Sequence, residues 1–430
     1  MSKVMIKDLG SFMEKKVKVS GWLYNRTSKG KLIFLLIRDG SALVQAIVSR
    51  QTLSEEQFNL ADKLTQESSL EIMGVVREDN RAVGGYEIEV ESLKVFQICD
   101  SYPISPKEHG VEFLTFHQHL WIRSQHISSI LKIRAEIISA ARNFLNSQGF
   151  YQVDTPILTP SACEGTSTLF KIDYFGEPAY LAQSGQLYNE ANCMALGKVY
   201  TFGPTFRAEK SRTKRHLMEF WMLEPEMAFV EQEENMSIQE ELICFIVSSV
   251  LKKCSNELTT LKRDVSFLKK VQPPFPRLTY SRAVELLREK GFDIKWGDDF
   301  GAPQETAISS LHEKPVFITH YPATIKAFYM QPDIDNPELV LCADLIASEG
   351  YGEIIGGSQR IHDYNLLKKK INEHNLPEEA YQWYLDLRKY GSVPHSGFGL
   401  GLERTVSWIC GLSHIRETIA FPRMLDKIYP

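Results

Sequence analysis

Residues 206–220 read FRAEKSRTKRHLMEF, and this stretch decides the fold of the chain. It brings together an arginine, a glutamate, a basic loop, a histidine and an aromatic residue, which are side chains suited to holding a nucleoside triphosphate. The chain has no G-x-x-x-x-G-K-S/T loop, so a triphosphate has to be bound by other means. The stretch therefore predicts a nucleotide site that depends on side-chain cations and an aromatic face.

A second informative stretch, GFGLGLER, follows at residues 397–404. Its alternating glycines let the backbone approach a planar ligand closely, and it ends in another arginine. One arginine at an α-phosphate and a second near the γ-phosphate would suit attack on the α-phosphorus with pyrophosphate leaving. We therefore expect Arg207 and Arg404 to serve the same nucleotide.

Together the two stretches resemble motifs 2 and 3 of the class II aminoacyl-tRNA synthetases. The longer run from Phe202 to Phe229 is similar to the asparaginyl-tRNA synthetases of bacterial type, within the subgroup that also holds the aspartyl and lysyl enzymes. The resemblance continues through essentially the whole chain, to Arg423. One such motif is weak evidence, whereas several in this order and at this spacing are specific.

The strand pattern and the resemblance divide the chain into two domains joined by a hinge. Five short strands and one helix in residues 1–100 suit an OB-fold barrel, here an anticodon-binding domain. Residues 101–120 hold two prolines and a glycine and are predicted as the hinge. Residues 121–430 are predicted to form the class II catalytic domain on an antiparallel β-sheet flanked by helices. The expected fold class is therefore α+β.

A long helix is predicted early in the catalytic domain. Apolar residues recur at helical spacing from Ile127 to Ser147, and Gly149 ends the pattern. A strand is predicted at 150–155. Together, residues 127–156 resemble motif 1, which implies a homodimer, although a plain core helix would show the same spacing.

The other segments of the catalytic domain follow the order of the family. Helices are predicted at 231–255, around 365–390 and at 402–410. Motif 2 is expected at about 202–229 and motif 3 at about 397–410. An insertion is expected at about 272–330. The insertion is rich in proline, glycine and aromatic residues, and its chemistry cannot be interpreted from the sequence.

The composition excludes several classes of protein. A net charge of −5 argues against a general nucleic-acid binder, and 43% apolar with 24% charged residues is typical of soluble globular chains. We found no apolar run that could span a bilayer and no signal peptide. Seven scattered cysteines without a C-x-x-C pair disfavour a zinc site or a disulfide framework. A cytoplasmic protein without a membrane partner is expected.

The resemblance implies roles for the polar residues of motifs 2 and 3. Arg207 would hold the α-phosphate and the substrate carboxylate, because a planar guanidinium suits both. Arg404 would lie over the adenine and reach the γ-phosphate, with Phe220 on the other face of the base. The expected catalytic residues are Arg207, Glu209 and Arg404, and the expected ATP-binding set is Arg207, Glu209, Arg215, His216, Phe220, Glu353 and Arg404. An isolated phenylalanine would more often be a core residue.

The expected cofactors are ATP and Mg²⁺. Magnesium is held by carboxylates together with phosphate oxygens. By resemblance, Asp344 and Glu353 match the metal-holding positions of the family. Two acids among 54 would indicate nothing without that resemblance.

The substrate implied by the resemblance is L-asparagine, which shape alone cannot separate from aspartate. Aspartyl relatives carry a lysine where this chain has Asn189, so no cation waits there for a carboxylate. Glu224 would accept from the amide nitrogen of the substrate, and Arg360 would donate to its amide oxygen. The full asparagine-binding set is Glu164, Gln186, Arg207, Glu224 and Arg360, with Glu164 and Gln186 near the ammonium group.

A short segment before these residues resembles the loop that closes over the amino acid in this family. It runs through residues 161–166 and has Cys163 where the family usually has proline. That departure could loosen the loop, but it removes no functional group.

In the barrel, three positions match residues that meet anticodon bases in the family: Phe34, Gln45 and Glu67. An aromatic ring can stack on a splayed base, and amide and carboxylate groups can read its edge. The expected macromolecular partner is tRNA(Asn). The alternative for Phe34 is a place in the barrel core.

Three rival functions remain open. An aspartyl or relaxed aspartyl/asparaginyl enzyme is disfavoured by Asn189, although His362-Asp363 is also common in aspartyl relatives. An asparagine synthetase-like relative is disfavoured by the complete barrel, because amide synthesis needs no anticodon reader. An inactive relative that only binds tRNA is disfavoured because all the motif residues are present.

Overall fold

A computed structural model describes residues 2–105, 107–164 and 168–430 of the chain. The chain forms two compact units, Met1–Thr115 and Phe116–Pro430. Within the described ranges, no helix combines the length and the apolar character that crossing a membrane would require.

The first unit contains a closed β-barrel. Its elements are β1 Ser2–Lys3, β2 Lys16–Lys29, β3 Leu32–Arg38, β4 Leu43–Ser49, α1 Glu55–Asp62, β5 Ser69–Glu78 and β6 Tyr86–Gln97, with α2 Val111–Phe116 at the boundary. The strand order is β1-β2-β3-β4-β6-β5, and β2 also pairs with β5, which closes the barrel. Five long strands and one helix confirm the predicted OB-fold.

Alternation along β3 separates the core of the barrel from its outer face. Ile33, Leu35 and Ile37 are buried in the barrel core, whereas Phe34 points the other way and is half-buried. This follows from the two-residue period of a strand. The core alternative for Phe34 is therefore wrong.

The second unit is built on a large sheet flanked by helices. Its elements are α3 Gln118–Trp121, α4 Gln125–Ser147, β7 Tyr151–Gln152, β8 Leu158–Thr159, β9 Lys171–Tyr174, β10 Glu177–Leu181, α5 Gln186–Leu196, β11 Lys198–Phe206, β12 Glu219–Ala228, α6 Gln232–Lys253, α7 Ser255–Thr260, β13 Arg277–Thr279, α8 Tyr280–Glu289, α9 Ala302–Ser309, β14 Val316–Thr319, β15 Cys342–Ala347, β16 Gly352–Gln359, α10 Tyr364–Glu373, α11 Gln382–Lys389, β17 His395–Gly401 and α12 Leu402–Cys410. The large sheet has the order β13-β14-β15-β16-β17-β12-β11-β7, and β8-β10-β9 form a small one. Only the outermost pairs, β13–β14 and β11–β7, are parallel among the described residues. The predicted α+β class is confirmed.

Helix α4 forms where the apolar periodicity predicted it. The Ser124 hydroxyl caps its start by accepting from the Ile127 N–H at 3.3 Å. Gly149, with φ of 81°, lies just beyond its end in a conformation that favours glycine. The buried stripe of α4 packs with α6, α12 and the large sheet in the main core of the unit. This core is the support on which the cavity-lining strands rest.

The structure differs from the sequence expectations in three segments. The strand predicted at 150–155 pairs for only two residues, because the chain soon reaches Pro156, which has no N–H to extend a ladder. The single helix expected around 365–390 is two helices, α10 and α11. Asn375 with φ of 54° and then Pro377 separate them. The insertion contains β13 and β14, which extend the large sheet, together with α8 and α9.

Candidate active site

Two cavities adjoin on the large sheet, one of about 680 Å³ and one of about 130 Å³. We call them the large cavity and the small cavity. Strands β12, β16 and β17 are neighbours in the sheet and contribute to both. The side chains shared by the two linings include Arg207 and Glu353. The two sequence motifs therefore meet in one place because β12 pairs directly with β17.

The small cavity gathers every residue predicted to bind the nucleotide. Its lining includes Arg207, Glu209, Arg215, His216, Phe220, Glu353 and Arg404. The Arg207 guanidinium lies 5.5 Å from the centroid of the Phe220 ring, within cation–π range. Among the described residues, none accepts a hydrogen bond from the buried Nε of Arg207. Arg207 thus keeps a donor available at the junction of the two cavities.

Two pairs of side chains in the small cavity, Arg404 with Glu353 and His216 with Glu209, are only loosely held. Arg404 Nη1 lies 3.0 Å from the backbone oxygen of Glu353 and 3.4 Å from its Oε2. His216 Nε2 lies 3.6 Å from Glu209 Oε2. Burial, and then the charge of Arg404, lower the pKa of His216, which favours a neutral ring at neutral pH. These four side chains are each about one-third exposed, at 31–35%.

Arg215 is held by the insertion that the sequence left uninterpreted. Its Nη1 lies 3.0 Å from Glu305 Oε2, and its Nη2 donates to Thr306 Oγ1 at 2.9 Å and to the Gly350 oxygen. Burial raises the pKa of Glu305 to about 7, and Glu353 adds to the effect. The sequence reading missed Glu305, because nothing near it in the chain identifies Arg215 as its partner.

The predicted metal ligands, Asp344 and Glu353, flank a glycine. A Cβ placed on Gly356 would lie 2.8 Å from Glu353 Oε1 and 3.6 Å from Asp344 Oδ1, so the space between them depends on glycine. A cation is already present at this position, since Lys326 Nζ lies 2.6 Å from Asp344 Oδ2. The same ammonium lies 3.8 Å from the ring centroid of Tyr321. The sequence did not predict Lys326 as a residue of this site. The only indication in the sequence was that aromatic residues surround Lys326.

The large cavity contains a buried ion pair that the sequence reading only half identified. Glu226 accepts from Arg360 Nε at 3.3 Å and also from Nη2, and Arg360 Nη1 donates to Ser358 Oγ at 2.6 Å. The guanidinium also lies 5.3 Å from the Tyr329 ring. Glu226 was missed, although it stands two residues from Glu224 on β12 and therefore faces the same side.

Glu224 is the second buried carboxylate of the large cavity. It accepts from the Ser184 hydroxyl and, at 2.9 Å, from the Gly185 N–H. Burial raises the pKa of Glu224, and these two hydrogen bonds oppose the shift. Burial likewise raises the pKa of Glu226, and the charge of Arg360 and its two hydrogen bonds oppose that shift. Around Arg360 the cavity thus offers carboxylate acceptors and a guanidinium whose charge is already shared.

Asn189 is fully buried beneath this site. Its Nδ2 donates to the backbone oxygen of Glu224 at 2.9 Å, and its side chain is not part of the lining of the large cavity. At the position where aspartyl relatives carry a lysine, this chain therefore has an amide side chain that bonds to the backbone and supplies no charge to the cavity.

Glu164 and Gln186 complete the predicted amino-acid set, and all five members line the large cavity. The Tyr329 hydroxyl donates to Glu164 Oε1 at 3.2 Å, and Arg207 Nη2 lies 4.0 Å from the same oxygen. Gln186 donates through Nε2 to Glu190 Oε1 at 3.1 Å. Of the predicted mobile loop, Gly165 and Thr166 lie outside the described residues.

The predicted anticodon residues lie on the barrel. Phe34 and Gln45 share the outer face of strands β3 and β4, where Phe34 pairs with Ile47 and Gln45 pairs with Leu36. Gln45 Nε2 contacts Glu87 Oε2 at 3.3 Å. Glu67 is nearly buried and paired with Arg38, whose guanidinium lies 4.8 Å from the Trp22 ring. The carboxylate of Glu67 therefore has a protein partner.

Comparison with known proteins finds relatives that match both units of the chain. A family described as tRNA synthetases class II (D, K and N) matches residues 111–425, and an OB-fold nucleic acid binding domain matches residues 17–96. The chain is 58% identical over 430 residues to the asparagine–tRNA ligase of Pelotomaculum thermopropionicum, with all of both chains covered. It is similar to the crystal structure of asparaginyl-tRNA synthetase from Pyrococcus horikoshii complexed with asparaginyl-adenylate, at 45% identity, a TM-score of 0.97 and full coverage of both chains. The aspartyl tRNA synthetase of Entamoeba histolytica is more distant, at 29% identity and a TM-score of 0.85, with 100% of this chain and 93% of that chain covered.

Proposed function

The chain belongs to the asparagine branch of the class II tRNA synthetases, and from that premise we propose how its residues divide the work of an asparagine–tRNA ligase. In the first step the carboxylate of L-asparagine attacks the α-phosphorus of ATP, and pyrophosphate leaves. In the second step the 3′-hydroxyl of the terminal adenosine of tRNA(Asn) attacks the carbonyl of the adenylate. AMP leaves, and the hydroxyl proton is released.

The small cavity binds ATP and the large cavity binds asparagine. Arg207 lines both, so it contacts the α-phosphate and the attacking carboxylate together and offsets the charge that develops between them. Phe220 and Arg404 enclose the adenine, and His216 and Arg215 meet the β- and γ-phosphates. Glu209 accepts from the adenine amino group or from the end of the tRNA.

Asp344 and Glu353 fit the Mg²⁺ that this chemistry requires. Both carboxylates flank the small space at Gly356, and Lys326 shows that a cation is stable there. Hard oxygen ligands of this kind suit magnesium. Asp344 and Glu353 would hold the ion, which would supply positive charge to offset that of the triphosphate.

Selection of asparagine over aspartate depends on the charge of the large cavity, and this observation carries the proposal. Glu224 and Glu226 both line the cavity, while the charge of Arg360 is already shared with Glu226. A carboxamide can donate to Glu224 and accept from Arg360. Aspartate would add a further carboxylate next to Glu224 and Glu226, and position 189 holds an asparagine in place of a lysine, so its binding is opposed.

Pyrophosphate exchange with each of the twenty amino acids tests this selectivity. We expect exchange with asparagine and none of comparable efficiency with aspartate. Exchange with aspartate at a similar kcat/KM would overturn the assignment and favour a relaxed enzyme.

The barrel reads the anticodon of tRNA(Asn) through Phe34, Gln45 and Glu67. Stacking of one base on an aromatic side chain contributes roughly 1–3 kcal/mol. Phe34→Ala should therefore lower the charging efficiency of tRNA by about tenfold or more and leave pyrophosphate exchange unchanged. The truncated chain 121–430 should likewise activate asparagine but charge tRNA poorly. Equal charging by the wild type and either variant would remove this role from the barrel.

The homodimer remains a proposal that is supported by the resemblance of α4 and β7 to motif 1. Sedimentation equilibrium at micromolar protein should give twice the chain mass of 49.1 kDa. A cytoplasmic location likewise remains a prediction, which fractionation of cells would test.

A further inference from the structure

Behind Gln186 lies a buried polar cluster that the mechanism above does not use. We call it the Glu190 cluster, and it consists of Glu190 on α5, Tyr384 and Arg388 on α11, and His395 on β17. All four side chains are buried, and those of Glu190, Arg388 and His395 are fully so. A charged group in such a place is retained only if it is well paired.

Glu190 is the acceptor at the centre of this cluster. Its Oε2 accepts from Arg388 Nη2 at 2.5 Å and lies 3.0 Å from His395 Nε2, and the Tyr384 hydroxyl lies 2.7 Å from both of its oxygens. Its Oε1 also accepts from Gln186 Nε2 at 3.1 Å. Burial opposes ionisation, but Arg388 and His395 outweigh it and lower the pKa of Glu190. Glu190 is therefore a carboxylate, which can accept hydrogen bonds and cannot donate them.

Because the Glu190 carboxylate can only accept hydrogen bonds, it determines the orientation of the Gln186 side-chain amide. An amide can face a carboxylate only with its NH₂ group, so the Nε2 of Gln186 is committed to Glu190. The Oε1 of Gln186 is then left for the cavity that Gln186 lines. Among the described residues, none donates a hydrogen bond to that oxygen. A free acceptor suits an ammonium group, whereas an amide turned the other way would present donors to it.

We propose that Glu190 is a positioning residue that fixes the amide of Gln186 so that its oxygen faces the α-ammonium group of asparagine. This inference rests on the proposed place of Gln186 in amino-acid binding. Arg388 of the cluster also donates through Nε to the backbone oxygen of Ile361 at 2.8 Å, next to Arg360, and this contact does not involve Glu190. Glu190 thus acts on the ammonium end of the amino acid, through Gln186, without touching it.

Glu190→Gln is the direct test, because the new side chain has the same shape and can donate as well as accept. Its oxygen stays with Arg388, and its NH₂ group then faces the NH₂ group of Gln186, which must turn. We expect the KM for asparagine to rise roughly tenfold, since a hydrogen bond to a charged group is lost, while the KM for ATP stays within about twofold. An unchanged KM for asparagine in a folded variant would overturn the proposal.

Succinamic acid, which is asparagine without the α-ammonium group, separates positioning from general loosening of the cavity. Its inhibition constant should stay within about twofold in Glu190→Gln, because no ammonium group meets Gln186. The preference for asparagine over succinamic acid should therefore fall by roughly tenfold. If both ligands lose affinity equally, Glu190 only supports the cavity, and the proposal is wrong.

Two controls and a double-mutant cycle complete the design. Glu349→Gln removes a carboxylate that accepts from Arg263 at 2.8 and 2.5 Å and lines neither cavity, so it should change neither KM. Gln186→Ala should raise the KM for asparagine by itself, and an unchanged KM there would refute the proposed role of Gln186. If Glu190→Gln retains its full effect in the Gln186→Ala background, Glu190 does not act through Gln186.

Glu190→Asp keeps the test decisive if Glu190→Gln does not fold. Aspartate still only accepts, but it is one methylene shorter, so the contact with Gln186 lengthens. We expect a smaller rise in the KM for asparagine, roughly threefold, which again vanishes in the Gln186→Ala background. A rise that persists in that background would overturn the proposal.

Discussion

The large and small cavities lie side by side, and each contains an arginine–glutamate pair. The two pairs differ in their exposure to solvent and in the distance between their charged atoms. In the large cavity the side chains of Arg360 and Glu226 are 3% and 1% exposed and are bonded to each other. In the small cavity those of Arg404 and Glu353 are 31% and 35% exposed and lie 3.4 Å apart at their nearest charged atoms. The charges of Arg360 and Glu226 are thus neutralised by each other within the protein. Those of Arg404 and Glu353 are only partly neutralised and can still pair with a ligand.

On the proposed assignment of asparagine to the large cavity and ATP to the small cavity, this difference follows from the charge that each ligand brings. Asparagine has a neutral side chain that differs from that of aspartate in one group, so discrimination needs donors and acceptors that are fixed before it binds. ATP brings several negative charges, and a partly exposed cation such as Arg404 can pair with it when it arrives. Fixed pairing therefore serves specificity, and loose pairing serves a highly charged ligand.

The strongest test removes the residue that both cavities share. Arg207→Ala should lower asparagine-dependent pyrophosphate exchange by about a thousandfold or more, because a fixed cation at the α-phosphorus is lost. Circular dichroism should show an unchanged fold. Arg282→Ala, on the exposed face of α8, is the matched control and should retain exchange. Near-wild-type exchange by Arg207→Ala would place this arginine away from the reacting atoms.

The difference in pairing predicts a difference in stability. Arg360→Met leaves Glu226 buried without its cation and should lower the free energy of unfolding by about 3–5 kcal/mol. Arg404→Met breaks a partly exposed contact and should cost less than about 1 kcal/mol. Urea unfolding of both variants measures this, and equal losses would contradict the contrast between the cavities.

Glu224→Gln tests whether the large cavity selects by charge. The substrate amide loses a charged acceptor, which contributes about 1.5–3 kcal/mol, so kcat/KM for asparagine should fall roughly ten- to a hundredfold. Discrimination against aspartate should weaken without reversing, because Asn189 still supplies no cation. Kinetics with both amino acids decide the point: an unchanged asparagine-to-aspartate ratio would mean that Glu224 does not face the side chain.

A further expected effect is on the pH dependence of stability and concerns Glu305, which pairs with Arg215 at the edge of the small cavity. Its pKa is raised from 4.5 to about 7, so between these values the folded chain binds more protons than the unfolded chain. The stability that Glu305 contributes is complete below pH 4.5 and is lost as the pH rises through 7. Glu305→Gln should remove that decline, which is about 3 kcal/mol for a shift of this size.

Unfolding free energies measured across this pH range check the prediction. Glu313→Gln, an exposed carboxylate paired with Lys270, serves as the control and should leave the decline as it is in the wild type. Parallel curves for the wild type and Glu305→Gln would contradict the raised pKa.

Local patterns explain why much of the site could be predicted from the sequence. Arg207 and Phe220 lie in one motif, and the periodicity of α4 depends only on neighbouring residues. Glu305 and Lys326 could not be found in this way, because their partners are set by the order of distant strands in the sheet. Glu226 could have been found, since residues two apart on a strand share a face. The spacing of Gln186 and Glu190 likewise places both on one face of a helix.

The contact between Lys326 and Asp344 has a consequence for the choice of metal ion. A divalent cation that arrives alone must displace an ammonium ion from Asp344, which offsets much of what it would gain. A cation that arrives on a triphosphate brings its own oxygen ligands and needs little more from the protein. If Asp344 and Glu353 hold Mg²⁺ as proposed, metal uptake would depend on nucleotide uptake, and free calcium or zinc ions would gain little from the enzyme without ATP.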